Sequence, residues 1–169
     1  EKMLPLDAKP NAAHAALAKL EAQGKLTAVV TQNIDGLHQL AGSKNVYELH
    51  GSIHRNHCMR CNRFFDAEYV KNHSGIPYCP CGGMIKPDVV LYEESLDPDV
   101  LAGAVTHISR ADMLIVGGTS LQVYPAAGLI NYYSGNKLVL INKTITPYDS
   151  YANLVINDSI GKVLSAAVE

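Results

Sequence analysis

Apolar residues recur along this chain in two rhythms. Ala13, Ala16, Leu17 and Leu20 fall at i, i+3, i+4 and i+7, one face of a helix opened by Pro10 and Asn11 and stopped by Gly24. Leu26 to Thr31 is instead short, apolar and β-branched, which predicts a buried strand. A short helix to Ala41 follows, closed by Gly42, and then a strand over Val46 to Leu49 that ends at His50-Gly51. From about Arg55 to Met84 the alternation breaks. The segment is polar, irregular and punctuated by Pro77, Pro80, Gly82 and Gly83, as expected of a small inserted module. Strand character resumes over Val89 to Tyr92. Leu101, Ala104, Val105 and Ile108 then mark one face of a helix over Pro98 to Ile108.

The last third is the most regular. A strand over Met113 to Val116, a turn at Gly117-Gly118-Thr119-Ser120, a helix over Ala126 to Tyr133 closed by Gly135, and a strand over Lys137 to Ile141 make a βαβ unit. Such a unit implies a parallel sheet with a right-handed crossover. A strand over Leu154 to Ile156 and a final helix from Ser159 complete an α/β fold class.

Composition adds mainly exclusions. The chain has 169 residues, 47% of them hydrophobic and 18% charged, with a net charge of −2. A nucleic-acid binder would carry a basic surplus, and a bilayer span would need far longer apolar runs. No signal peptide is expected. The first residue is Glu1 rather than Met, so the natural N-terminus is expected to lie outside this sequence.

All four cysteines sit in one window: Cys58 and Cys61 as C-x2-C, then Cys79 and Cys81 as C-x-C. Two close pairs brought together by a loop suit a tetrahedral thiolate site, with zinc as the leading metal. Disulfides are disfavoured, because nothing looks secreted and cytoplasmic thiols stay reduced. His54 and His57 flank the window as alternative ligands, although four cysteines already complete a zinc shell.

Ligands of open parallel sheets bind beyond the carboxyl ends of the strands. Here those ends carry Gln32-Asn33-Ile34-Asp35, His50-Gly51, Gly117 to Ser120, and Asn142. Each has a plainer reading: Asn33 and Asp35 as helix caps, the glycines as a tight turn, Asn142 as a turn former, His50 as a structural histidine. The functional reading makes His50 a proton acceptor and the glycine turn a cradle for phosphate or ribose.

Together these blocks resemble the sirtuins, the NAD-dependent protein deacylases, of bacterial type. The resemblance rests on Thr31 to His38, Ala41-Gly42, Glu48-Leu49-His50-Gly51, the cysteine pairs, Pro87 to Val90 and Gly118 to Pro125 in order. It implies a Rossmann-like NAD domain over 1–52 and 88–169 with a zinc-binding module over 53–87. By similarity, Gln32, Asn33, Ile34 and Asp35 line the pocket for nicotinamide and its ribose. Gly118, Thr119, Ser120 and Asn142 meet the adenosine half, and Ser159 or Ile160 the adenine. Val90, Leu91 and Tyr92 on one side and Leu121 to Tyr124, Val123 among them, on the other take the acyl-lysine peptide as an added strand. His50 and Asn33 carry the catalysis. The implied chemistry begins when the acyl oxygen attacks the anomeric carbon and nicotinamide leaves. His50 then deprotonates a ribose hydroxyl, which attacks the resulting imidate, releasing lysine and O-acyl-ADP-ribose. The partners are acylated-lysine proteins, with no nucleic acid and no membrane. The zinc touches no substrate.

Three departures from the family pattern set further expectations. A first strand, a Gly-Ala-Gly loop and a Pro-Asp-Phe-Arg segment do not precede the Pro10 helix, so the sequence is expected to be a fragment, inactive and unstable by itself. The second cysteine pair is C-x-C, where many relatives have C-x2-C, which could strain the site. The usual Phe-Gly-Glu reads Tyr92-Glu93-Glu94, which replaces a flexible glycine with Glu93. The alternatives to an NAD enzyme are a non-enzymatic zinc-ribbon interaction module on an α/β scaffold and a zinc hydrolase. The hydrolase needs an open metal position, which four cysteines close.

Overall fold

Asn11 sets where the first helix begins. Its side chain accepts from the amides of Ala13 and His14, and His14 closes a reciprocal capping box. In this computed structural model, which describes residues 6–168, helix α1 therefore spans Ala12–Ala22, and Pro10 lies just outside it rather than in its first turn. Strand β1 (Val29–Thr31), short helix α2 (Leu37–Leu40) and strand β2 (Val46–Glu48) follow. β1 and β2 are parallel, with Thr31 opposite Glu48.

The cysteine segment is more ordered than its polar composition suggests. Strand β3 (Gly51–Cys58) pairs antiparallel with β4 (Phe64–Phe65) on one side and β5 (Ile85–Val89) on the other, and α3 (Ala67–Lys71) packs beside it. Their pattern was hidden because only a small cluster holds this sheet together: Cys58, Cys79 and Ile85, backed by Phe65, Tyr69 and Val70. β5 ends at Val89, so the strand expected through Tyr92 is corrected. Glu93 stands in the left-handed region at φ 70°, and the Glu94 carboxylate takes the Leu91 amide at 2.9 Å, folding the segment into a turn.

Helix α4 (Pro98–Arg110) starts at the Asp97 cap, with Pro98 in its first turn. Its Ala104 and Ile108 bury against Leu49, the residue before His50. Strands β6 (Leu114–Gly117), β7 (Leu138–Ile141) and β8 (Leu154–Ile156) form a parallel three-stranded sheet. Both faces of its central strand, β7, are covered, as expected of a parallel sheet. Leu138 and Leu140 face Leu121 and Ile130, while Ile141 meets Ala13, Ala16 and Leu164 from α1 and α5 (Ile160–Ala167). The crossover expected as a helix over Ala126 to Tyr133 is a 3-10 helix over Ala126–Tyr132, and a second 3-10 turn spans Asp149–Tyr151. The parallel strands thus form two sheets, β1-β2 and β6-β7-β8, among the described residues. No helix among those residues is long and apolar enough to cross a membrane.

Candidate active site and metal centre

His50 sits in the link between β2 and β3, and three backbone features set its place. The Leu49 amide donates to the Thr31 carbonyl at 2.9 Å, and the Val90 amide donates to the His50 carbonyl at 3.1 Å. Gly51 follows at φ 75°, and a Cβ there would lie 1.9 Å from the Asp88 carbonyl oxygen, so only glycine fits. The ring of His50 is half-buried, with Nδ1 3.0 Å from the Gln32 carbonyl. A carbonyl can only accept, so Nδ1 carries the hydrogen, and in the neutral ring the lone pair is on Nε2. That is the tautomer a proton acceptor needs.

The Gln32 to Asp35 segment lies against the same turn. The Asn33 amide donates to Thr31 Oγ1 at 3.1 Å, and its exposed carboxamide has no protein partner among the described residues. Asp35 stands one residue before the Gly36 cap of α2, and its Oδ1 accepts the Leu37 amide at 3.0 Å. The Ile34 carbonyl accepts from the Ile53 amide at 3.0 Å, and the Asp35 carbonyl from His54 Nε2 at 2.9 Å. Residues of β3 therefore pin the candidate pocket segment from behind.

A second group of strand ends converges beside α5. The Gly118 amide donates to the Ile141 carbonyl at 3.2 Å, and the Asn142 amide to Ile156 at 3.1 Å. Thr119 Oγ1 accepts from the Leu121 amide at 3.2 Å, while Ser120 is exposed. Ile160 packs over Gly117, where a Cβ would lie 2.4 Å from its Cδ1, and Ser159 is the α5 cap residue. Asn142 does more than end a strand. Its Nδ2 donates to the carbonyls of Thr119 at 3.0 Å and Thr144 at 3.2 Å, stapling the glycine turn. Of the candidate peptide-binding residues, Val90 is bonded to His50, while Leu91, Tyr92 and Val123 are exposed.

The four cysteine sulfurs form one cluster, all within 4.8 Å of one another. Cys58 to Cys81 is 3.4 Å, Cys61 to Cys81 3.5 Å and Cys61 to Cys79 3.6 Å. Zinc with bonds of about 2.3 Å to tetrahedral sulfurs needs spacings of about 3.8 Å, so the residues fit the ion. Burial raises the Cys58 thiol, but the amides of Cys61 and Arg60 and the neighbouring thiols outweigh it and bring it to about 6. The Cys81 amide lowers Cys79, but burial and bonds with the other three thiols push it up to about 12. Four thiols this close cannot all lose their protons without a cation among them. The C-x-C pair closes because Gly83 follows it: a Cβ there would stand 2.6 Å from Cys58 Sγ. His54 and His57 are not ligands in this cluster. One bonds Asp35 and the other lies edge-on to Phe64.

Sequence reasoning missed one element of the site. Arg55 bridges Glu48 at 2.7 Å and Asp88 at 2.9 Å, on either side of the His50 turn. Its only signal was an arginine four residues after a strand-end glycine, which by itself says nothing.

A family model of the Sir2 family matches residues 1–125. The chain belongs to the Sir2 family. It is 69% identical to an NAD-dependent protein deacetylase of Clostridium acetobutylicum over 99% of its length and 69% of that protein's. A protein of the same description from Clostridium tetani is 64% identical over 100% of this chain and 69% of its own. Among solved structures, a Sir2 protein bound to a propionylated peptide matches at TM-score 0.92 and 44% identity, over 99% of this chain and 73% of that one. A Sir2 complex with a p53 peptide and NAD+ matches at TM-score 0.89 and 45% identity, over 96% of this chain and 70% of that one. The likeness to these Sir2 structures covers the parallel sheets, their helices and the cysteine cluster together, as one α/β architecture with a site suited to zinc.

Proposed function

We propose that this chain is an NAD-dependent protein lysine deacylase that takes acyl (acetyl) groups from protein lysines and yields nicotinamide, O-acyl-ADP-ribose and free lysine. The observation that carries the reading is the His50 ring, held by the Gln32 carbonyl so that Nε2 is the free base at the carboxyl ends of β1 and β2. Curated relatives at 64% to 69% identity are named NAD-dependent protein deacetylases, which supports the enzyme over an interaction module.

In this reading, residues 53–87 are the zinc module and the flanking segments form the NAD domain. Nicotinamide and its ribose lie against Gln32, Asn33, Ile34 and Asp35. The second oxygen of Asp35, beyond the one that takes the Leu37 amide, accepts from the nicotinamide carboxamide. Asn33 directs its unpartnered carboxamide to ribose or a bound water. Gly118, Thr119 and Ser120 offer the adenosine half backbone amides and hydroxyls. Asn142 shapes that turn with its Nδ2 and offers only its carbonyl oxygen, while Ser159 and Ile160 border the adenine. The acyl-lysine peptide runs between Val90 to Tyr92 and Val123. After nicotinamide has left, His50 Nε2 takes the proton of a ribose hydroxyl, whose oxygen attacks the imidate carbon; the lysine amine then leaves and a water adds to the acyl carbon, giving O-acyl-ADP-ribose. Zinc, held by Cys58, Cys61, Cys79 and Cys81, fixes the module and supplies no catalytic water, since four thiolates close its shell. A site of four zinc-bound thiolates suits the reducing cytoplasm, where cysteines are kept from pairing as disulfides.

The test is direct. The full-length protein is incubated with NAD and an acetyl-lysine peptide, and nicotinamide release is followed. Release that requires both compounds is expected. No NAD-dependent release from any acyl peptide overturns the assignment.

A further inference from the structure

Arg55 lies in an irregularity of β3. Ser52 pairs with Asp88, but the next pair is Asn56 with Pro87, so residues 53–55 bulge out of the ladder. A bulge re-aims side chains. Here it turns the Arg55 guanidinium onto carboxylates from two different strands. Nη1 meets Glu48 Oε2 at 2.7 Å, and Nε meets Asp88 Oδ2 at 2.9 Å. The Glu48 side chain is only 7% exposed, and Arg55 is the cation it is paired with. Glu48 stands two residues before His50 in β2. Asp88 stands two residues before Val90, whose amide holds the His50 carbonyl. The planar guanidinium therefore joins the chain entering the His50 turn to the strand leading to the candidate peptide edge. A point charge could not fork in this way.

We propose that Arg55 is a positioning residue for His50, fixing the His50 turn against the Val90 edge through Glu48 and Asp88. The inference rests on the deacylase reading above. His50 acts only after nicotinamide has departed, and until it acts nicotinamide can return. A His50 displaced by loss of the fork slows the forward step and leaves the return untouched. The two outcomes can be measured on one sample: exchange of labelled nicotinamide into NAD, and deacylation of the peptide. Their ratio does not depend on how much of the protein is folded.

Three variants of the full-length protein test this. Arg55→Lys keeps the charge but loses the fork, and should raise the exchange-to-deacylation ratio about tenfold, in line with the cost of small misplacements of a catalytic group. Asp88→Asn cuts only the half-exposed arm, should fold normally, and should raise the ratio less. Arg55→Met, which strands the Glu48 charge, should raise it most in whatever fraction folds. The KM for NAD should stay at its wild-type value in Arg55→Lys and Asp88→Asn. Wild-type ratios in those two variants, whatever their loss of total activity, overturn the proposal alone. A wild-type protein with neither exchange nor deacylation removes the deacylase reading and this proposal with it.

Discussion

The cysteine module and the His50 turn share one strand yet are held by opposite means. β3 has its first residue, Gly51, beside His50 and its last, Cys58, in the thiolate cluster. At the Cys58 end, the β3-β4-β5 ladder leans on side chains, the thiolate cluster and a small apolar one. The apolar cluster there has only three buried members, Cys58, Cys79 and Ile85, too few to stabilise a fold unaided. At the Gly51 end, backbone bonds do the holding: Leu49 to Thr31, Val90 to His50, Ile53 to Ile34. A region closed by a metal should fail all at once when a ligand is lost. A turn held by backbone should tolerate loss of its functional side chain and lose only its chemistry.

The sharpest way to break that contrast is at the metal. Cys58→Ser, or chelation, removes an ion worth about 10 kcal/mol or more to a small zinc fold. The expected result is loss of the roughly one zinc per chain that the ligand count requires, melting of the β3-β4-β5 sheet, and loss of activity with it. Elemental analysis and amide exchange across Gly51 to Val89 would show it. A zinc-free variant with that sheet still protected would mean that the apolar cluster suffices.

The second test strikes the other end of β3. His50→Ala removes the base and one hydrogen bond to Gln32 while leaving every backbone bond of the turn in place. Turnover should fall by about 10²- to 10⁴-fold, with zinc content unchanged. Metal loss in this variant would mean that the two ends of β3 are not independent.

A third test uses acid. Burial, and then the charge of neighbouring His14, holds His38 below its ordinary 6.5, with Asp35 and Glu48 offsetting part of the shift. Burial likewise lowers His14, against the pull of Asp35. Their rings meet at a tilt, with centroids 4.6 Å apart, and His38 Nδ1 is buried without a partner among the described residues. Below the unfolded value the unfolded chain binds protons that the folded chain refuses, so stability is lost as pH falls through 6.5 and stops falling below the lowered folded values. Denaturant midpoints should drop across that window, and His38→Gln should flatten the drop. An unchanged pH profile in that variant would take His38 out of the account.

The same contrast explains what the sequence made legible. Parallel strands buried on both faces write themselves as apolar runs, so β6, β7 and β8 could be read to within a residue or two. The cysteine pairs named their cluster because metal ligands must have particular chemistry, whatever their backbone does. β3 escaped because its order comes from ligands and pairing rather than from an apolar alternation. Arg55 escaped for a related reason: a fork across three strands is a fact of register, and the bulge that aims it has no signature in composition. Asn142 was placed at the right strand end, but its use of both amide hydrogens inside the fold depends on Thr119 and Thr144 coming close, which only the folded chain shows.

The smallest effect lies where the two regions meet the candidate peptide edge. Glu93 holds φ at 70°, a conformation that glycine adopts freely and a branched backbone position does not. Glu93 therefore holds a glycine-like turn and carries its strain, of order 1 kcal/mol. The turn is held instead by Glu94, whose carboxylate takes the Leu91 amide and meets Lys86 Nζ at 3.3 Å. Glu93→Gly relieves the strain but enlarges the freedom of the unfolded chain, two terms of about equal size and opposite sign. Its effect on the melting temperature should therefore be near zero, while Glu94→Ala, which releases the Leu91 amide, should loosen the turn. If Leu91 and Tyr92 line the peptide path, Glu94→Ala should change the KM for the acyl peptide and leave the KM for NAD alone. A change confined to NAD would place this turn on the other substrate's side.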